Sequence, residues 1–285
     1  MKKRLISALA AAAVLTFTSS LSAQLLYTTG TETANVTTNY SIVSANDDST
    51  INQSSGAISS ADIFDDSTFN QIGGTINLAG TNGNSTFNQS GGQINNEANT
   101  FDNSTFNQIG GQINQINTRD TSTFNQSDGQ INEVNTHATS TFNQSGGQIN
   151  NEAYTFGNST FNQTGGSIAS LSTRGSSTFN FSGGEMGTIN ALGDSTINFI
   201  ADNFGNGYNA GDTLYLSDFT LNVSTPFTLT FGGVQETFNF VPSSTWNGSL
   251  NLLAVPEPST IAMTGAAVLL ILAGRFRKNN KTNHA

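Results

Sequence analysis

Arg119, Asp120 and His137 are the residues whose types and spacing come nearest to a catalytic group. Arg119 and His137 stand 18 residues apart, one period of a sequence repeat, so we expect them on adjacent coils of a stacked array. An arginine that abstracts a proton beside a carboxylate would suit a polysaccharide lyase, and parallel β-helices also carry glycosidases. The same column holds phenylalanine and leucine in other repeats, and each coil is too short to build a cleft. We therefore predict no catalytic residue here and interpret the column as a solvated turn.

The composition also argues against metal and thiol chemistry. The chain has no cysteine and only two histidines among its 285 residues. Residues 202–207 have the acidic and amide spacing of a calcium loop, but Phe204 occupies a ligand position and Thr213 stands where a bidentate glutamate is expected. We predict no metal site and no cofactor.

A second chemical pattern is a pair of polar columns, threonine and asparagine, that recur in every repeat. In a regular stack they would point outward as a flat lattice of hydroxyl and amide groups with a spacing of ~4.8 Å. Such a face suits a polysaccharide, an ordered water layer as in ice-binding solenoids, or another copy of the chain. Alternatively, both residue types simply suit stacked parallel strands, through β-propensity and amide ladders. The candidate surface-binding residues, hereafter the Thr–Asn face, are Thr68, Thr86, Thr105, Thr123, Thr141, Thr160, Asn70, Asn88, Asn107, Asn125, Asn143 and Asn162.

The element that must position these columns is a short repeat. Ser-Thr-(Phe or Ile)-Asn occurs nine times between residues 49 and 198, always 18 or 19 residues apart. A second apolar anchor follows the first by seven residues, and a third apolar or small residue comes three or four residues later. Three inward positions per coil predict an all-β fold, a single-stranded parallel β-solenoid of about nine triangular coils over residues 49–200. A disordered low-complexity tract is disfavoured, because it would hold no second anchor at a fixed offset.

Alternation along the first strand of each coil predicts what fills the interior. Serine, phenylalanine and glutamine fall on one face, and the phenylalanines require that face to be the inner one. We therefore expect a column of stacked rings and a continuous ladder of buried glutamine amides. Residues 24–48 are predicted to form an N-terminal cap and residues 201–254 an antiparallel β cap, because an open coil end is a template for aggregation.

The two ends of the chain carry targeting patterns. Residues 1–23 combine three basic residues, an apolar run and small residues before Gln24, which predicts a secretory signal peptide. Near the other end, an apolar run over residues 261–274 gives about 21 Å of helix, a marginal transmembrane span for a core of roughly 30 Å. The basic cluster behind it, with residues 279–285 as a tail, is predicted to stay cytoplasmic. A plain uncleaved C-terminal anchor is an open alternative.

Near the C-terminus, Pro256-Glu257-Pro258 precedes the apolar run, and Arg275, Arg277 and Lys278 follow it. This order resembles the PEP-CTERM sorting signal of Gram-negative bacteria that make exopolysaccharide. The resemblance covers residues 255–278 only. It implies recognition by a membrane-embedded exosortase, removal of the tail, and passage through the inner membrane to the cell surface or extracellular matrix. The residues that carry it are Pro256, Glu257, Pro258, Arg275, Arg277 and Lys278.

Charge limits the partners further. Between residues 24 and 260 only Arg119 and Arg174 oppose 19 acidic residues, a formal charge of −17. Nucleic acid is excluded as a partner, since nothing neutralises phosphates. We expect an exported, non-enzymatic surface or matrix protein, structural or adhesive, with exopolysaccharide of the biofilm as candidate partner. A polysaccharide-acting β-helix enzyme and an ice-binding or self-assembling solenoid are the alternatives.

Overall fold

The computed structural model describes residues 24–205, 207–215, 218, 225–231 and 233–255. The described part of the chain is all β, and its element order contains no helix. The strands are β1 (Leu25–Thr28), β2 (Thr33–Val36), β3 (Tyr40–Ala45), β4 (Thr50–Gln53), β5 (Ala57–Ile63), β6 (Thr68–Gln71), β7 (Thr75–Thr81), β8 (Thr86–Gln89), β9 (Gln93–Thr100), β10 (Thr105–Thr118), β11 (Thr123–Thr136), β12 (Thr141–Gln144), β13 (Gln148–Thr155), β14 (Thr160–Gln163), β15 (Ser167–Thr173), β16 (Thr178–Phe181), β17 (Glu185–Gly193), β18 (Thr196–Ala201), β19 (Asn203–Phe204), β20 (Thr213–Leu214), β21 (Thr225–Phe231), β22 (Val234–Trp246) and β23 (Ser249–Ala254).

Successive coils pair through parallel strands and keep identical residues opposite each other. Phe106 lies opposite Phe87 of the preceding coil and Phe124 of the following one. We call the strand that carries Ser-Thr-Phe-Asn-Gln the first side of each coil. A glycine corner follows it, and the second and third sides come after that corner in this order. In a 19-residue coil the extra residue falls between the second and third sides, where the register between β9 and β10 shifts after Ile113. The predicted parallel β-solenoid is therefore confirmed.

The solenoid has about ten coils, one more than predicted, because the parallel ladder begins before residue 49. Residues 24–48, expected as a cap, contribute β1 and β2, which pair parallel with β3 and β4. Thr33 lies opposite Thr50, and Ala34 opposite Ile51. This coil carries the repeat in a degenerate form, with alanine and valine at the phenylalanine and glutamine positions, so the Ser-Thr-Phe-Asn pattern does not reveal it.

The region predicted as an antiparallel cap contains both kinds of pairing. β21 and β22 form an antiparallel hairpin, and β20 is antiparallel to β23. β22 and β23, however, run parallel to β17 and β18, with Leu250 opposite Ile197 and Asn251 opposite Asn198. The segment 249–252 reads Ser-Leu-Asn-Leu, which reproduces the alternation of a coil strand. The predicted helix at residues 261–274 lies outside the described residues.

The interior is a column of stacked aromatic rings, as predicted. The seven phenylalanines that the first sides contribute from Phe69 to Phe179 are at most 1% exposed. Neighbouring ring centroids from Phe69 to Phe161 lie 4.5 to 4.9 Å apart with nearly parallel planes. Phe179 turns edge-on to Phe161, at 5.8 Å, where Phe181 replaces glutamine in the interior. The second and third inward columns are also buried, which confirms three apolar positions per coil.

The buried glutamines bond differently from the predicted continuous ladder. Only Gln89 and Gln144 donate to the glutamine of the preceding coil, at 3.1 and 3.2 Å. All seven amides donate to a backbone carbonyl at the start of the second side of the following coil, as Gln163 does to Glu185 at 3.1 Å. The glycine corner brings that carbonyl within reach of each amide, so the amides stabilise the corner. Among the described residues, the Oε1 atoms of Gln53, Gln89, Gln108, Gln144 and Gln163 have no hydrogen-bond partner.

The invariant serine closes the remaining corner of each coil. Ser122 is fully buried; its hydroxyl accepts a bond from the Arg119 amide at 3.1 Å and donates to the Arg119 carbonyl at 2.6 Å. The Thr100 carbonyl oxygen of the preceding coil lies 3.1 Å from the same hydroxyl and is the alternative acceptor for its single proton. These contacts link the turn to its neighbour and explain why serine recurs at one fixed position.

Candidate functional site

The Thr–Asn face lies on the first side of the solenoid, outward as predicted. Its strands alternate half-buried and buried residues, with threonine and asparagine half-buried and phenylalanine and glutamine buried. All twelve predicted residues belong to strands paired in register, so each column runs straight along the rod. Because the stacked phenylalanines beneath lie 4.5 to 4.9 Å apart, the outward groups repeat at the same spacing.

The asparagines of this face form one unbroken hydrogen-bonded ladder. In each coil the Nδ2 atom donates to the Oδ1 atom of the preceding asparagine, always in the same direction, at 2.7 to 3.2 Å. Each amide therefore keeps one N–H and one lone pair available at the surface. The members are Asn35, Asn52, Asn70, Asn88, Asn107, Asn125, Asn143, Asn162, Asn180, Asn198 and Asn251.

The threonine hydroxyls of the face are less engaged in hydrogen bonds within the protein than the asparagine amides are. Within the described part of the chain, none of the six predicted threonine side chains hydrogen bonds to another protein group. The face therefore presents free hydroxyls in one column and partly used amides in the next. Hydrogen-bonding groups at a fixed spacing on a rigid support can match a periodic polymer.

The ladder should contribute measurably to stability. We expect Asn125→Ala to lower the free energy of unfolding by about 1 kcal/mol, because Asn107 and Asn143 each lose a partner while water reaches the half-buried site. Asn125→Asp should cost more at neutral pH, since a carboxylate accepts from Asn143 but cannot donate to Asn107. Urea unfolding measures both changes. The control Asn158→Ala removes an exposed turn side chain outside the ladder; equal losses at Asn125 and Asn158 would contradict a stabilising role for the ladder.

Arg119 and His137 lie on adjacent coils, as predicted, within a planar stack at one corner that we call the aromatic ridge (Phe101, Arg119, His137, Phe156 and Arg174). The Arg119 guanidinium lies 5.8 Å from the Phe101 ring centroid, and the His137 imidazole stacks on Phe156 at 4.6 Å. Among the described residues, no carboxylate lies within 4.0 Å of either arginine. An aromatic face stabilises the arginine cation, which opposes a role as a proton-abstracting base.

The neighbours of His137 alter its acidity. Burial lowers the pKa of His137 below its ordinary value of 6.5, and the nearby Arg119 charge lowers it further. Since the unfolded chain binds this proton more readily, the stabilising effect of the neutral imidazole is complete above about pH 6.5 and declines as the pH falls toward the lowered pKa.

Arg119→Gln should raise the pKa of His137 without restoring it fully, because burial is the larger cause. An NMR titration of the imidazole protons measures the change, with His284→Asn used to assign the two histidines. Arg174→Gln is the matched control and should leave the His137 pKa unchanged. An equal rise in both variants would contradict a local effect of Arg119.

A further polar surface, which the repeat pattern does not predict, lies on the second side. Three open cavities of about 880, 490 and 230 Å³ share lining residues and form one continuous groove. We call it the amide groove. Its only sequence signal is the Gly-Gly-Gln-Ile-Asn segment, which places an exposed glutamine after the glycine corner. Its principal lining residues are Gln112, Gln130, Gln148, Ser167, Glu185 and Glu236.

Metal and membrane features give no further site in the described residues. No three histidine, aspartate or glutamate side chains there are grouped to hold a metal ion. No helix long and apolar enough to span a membrane occurs there either. The residues of the predicted sorting signal lie outside the described residues, so their roles stay predictions: Pro256, Glu257, Pro258, Arg275, Arg277 and Lys278.

Comparison of the chain with protein-family models, with curated proteins and with solved structures found no match.

Proposed function

We propose that this chain is an exported, non-enzymatic rod that serves as a structural or adhesive element of an exopolysaccharide matrix, with the Thr–Asn face as its contact surface. The observation that carries the proposal is the unbroken asparagine ladder beside a column of free threonine hydroxyls. A polysaccharide repeats the same hydroxyl and ring groups along its length. A straight column of identical donors and acceptors can bind such a chain at many points, each contact weak and the sum strong.

The route to the surface is the second part of the proposal. The signal peptide at residues 1–23 directs export, and residues 261–274 hold the chain in the inner membrane until an exosortase removes the tail. Residues 201–254 close the end of the solenoid. The resemblance of residues 255–278 to the PEP-CTERM signal supports this route. Growth of a strain that lacks the exosortase tests it; retention of the tail with unchanged surface display in that strain would contradict it.

Binding is tested by co-sedimentation of the purified protein with insoluble polysaccharide. Tyrosine at Thr105, Thr123 and Thr141 should weaken binding strongly, because three large rings lift a ligand off the Thr–Asn face. The matched control changes Thr139, an exposed turn residue, to tyrosine and should bind normally.

Unsaturated or reducing ends released from the polysaccharide and lost in Arg119→Ala would favour the enzyme alternative. Ice recrystallisation inhibition lost in the triple variant would favour the ice-binding alternative.

A further inference from the structure

The amide groove extends over several coils without interruption. Its largest cavity, about 880 Å³, shares Gln112 and Gln130 with the cavity toward the N-terminal coils. It shares Gln148, Ser167 and Glu185 with the cavity toward the C-terminal coils. Glu236, from the hairpin of β21 and β22, lines both of the larger cavities. The groove thus suits an extended chain lying along the rod more than a compact small molecule.

Two glutamine amides of the groove are free, and the backbone that carries them is anchored. Gln93 donates to Gln112 at 2.8 Å, but the side-chain amides of Gln130 and Gln148 have no hydrogen-bond partner among the described residues. Their backbones are anchored from inside, because buried Gln108 and Gln126 donate to their carbonyl oxygens at 3.4 and 3.5 Å. A ligand would therefore order the exposed side chains but not the backbone that carries them.

The asparagines further along the second side form a shorter ladder beside the glutamines. Asn132 donates to Asn114 at 3.1 Å, and Asn150 donates to Asn132 at 3.3 Å. Side-chain amides and carboxylates are good partners for sugar hydroxyls, since hydroxyls both donate and accept.

Charge defines the class of ligand. Asp128, Glu185 and Glu236 line the main cavity, and no basic residue lines any of the three cavities. Both arginines of the described residues lie instead on the aromatic ridge. A polymer that carries carboxylates would be repelled here, whereas the hydroxyls of a neutral polymer can donate to these three acids.

We infer that the amide groove binds a neutral, hydroxyl-rich polysaccharide chain along the rod axis, separately from the Thr–Asn face. The inference rests on the proposed function and deepens it by naming a second contact surface and the ligand class. Two glycan-binding surfaces on different sides of one rod would let a single molecule cross-link two polysaccharide chains.

Affinity gel electrophoresis of the purified full chain tests this inference, with hydroxyethyl cellulose as the neutral probe and alginate as the acidic one. We expect the neutral glucan to retard the protein. Gln130→Ala combined with Gln148→Ala should weaken that binding by about tenfold, since two hydrogen-bonding amides are lost. The control Gln115→Ala removes the same group from the third side and should bind like the parent. All variants share both basic termini, so the contribution of the termini to alginate binding cancels in the comparison.

The outcomes separate the two proposals. Unchanged glucan binding by the double variant, with binding lost in the Thr105, Thr123 and Thr141 variant, overturns the groove and leaves the proposed function standing. Stronger retardation by alginate than by the glucan, reduced in the double variant, overturns the assigned ligand class. If the parent protein binds no polysaccharide in this assay or in co-sedimentation, the proposed function fails and the groove inference fails with it.

Discussion

Phe124→Ala is expected to lower the free energy of unfolding by about 3 to 5 kcal/mol, the usual cost of emptying a buried aromatic site. Phe124 is fully buried, and its ring stacks on Phe106 and on Phe142 with centroids 4.9 Å away in each case. Alanine would leave a void in the middle of the column that the neighbouring coils cannot fill, since their spacing is fixed by the backbone ladder.

Loss of the Phe124 ring should also change how the protein unfolds. Each coil contacts mainly its two neighbours, so a weak coil at the centre separates the rod into two parts that melt independently. Urea unfolding followed by circular dichroism should show one transition for the parent and two for Phe124→Ala. The matched control Phe101→Ala removes a half-buried ring from the aromatic ridge and should cost about 1 kcal/mol. Equal losses in the two variants would contradict the stacked column as the main source of stability.

Gly147→Ala is expected to lower the free energy of unfolding by on the order of 3 kcal/mol, because backbone strain and overpacking act together. Gly147 has a φ of +74°, and a Cβ atom there would lie 2.8 Å from both the Gly129 carbonyl oxygen and the Gln126 Nε2 atom. Both contacts come from the preceding coil, so the methyl group would push two coils apart.

Gly30→Ala provides the control for the dihedral angle alone. Gly30 has a φ of +67°, but a Cβ atom there would meet nothing within 4 Å. Gly30→Ala should lower the free energy of unfolding by about 1 to 2 kcal/mol, the strain of an alanine in the left-handed conformation. The difference between the two variants in thermal or urea unfolding measures the cost of the clash between coils. No difference would mean that the coils are free to separate at this corner.

The sequence predicts the repeated interior well because the physical constraint there is local and periodic. A phenylalanine at one fixed position can only be buried by stacking on the next one, so the column from Phe69 to Phe161 follows from spacing alone. The coil around Thr33 was not predicted, because alanine and valine fill the inward positions without the motif. The glutamine bonding was predicted wrongly, since it depends on where a corner carbonyl points, and the sequence pattern does not carry that direction.

Of the two candidate surfaces, the sequence likewise predicts one and not the other. The outward direction of the Thr–Asn face follows from strand alternation, and the structure confirms it. The amide groove depends on how the second side bends between two corners and on where Glu236 of a distant hairpin lies. A repeat pattern specifies which residues share a column, but it does not specify the concavity of the surface between columns.

The hydrogen bonds of the asparagine ladder all run in one direction, which gives the rod an electric dipole along its length. Each side-chain amide is a small dipole, and eleven of them are aligned head to tail. The N–H end of the row is at Asn35 and the oxygen end is at Asn251, whose Oδ1 atom accepts from the Thr213 hydroxyl at 3.1 Å. Two such rods lying side by side attract each other when they point in opposite senses and repel when they point the same way. Any bundle of these molecules would therefore be expected to alternate in orientation, with the two ends of neighbouring rods reversed.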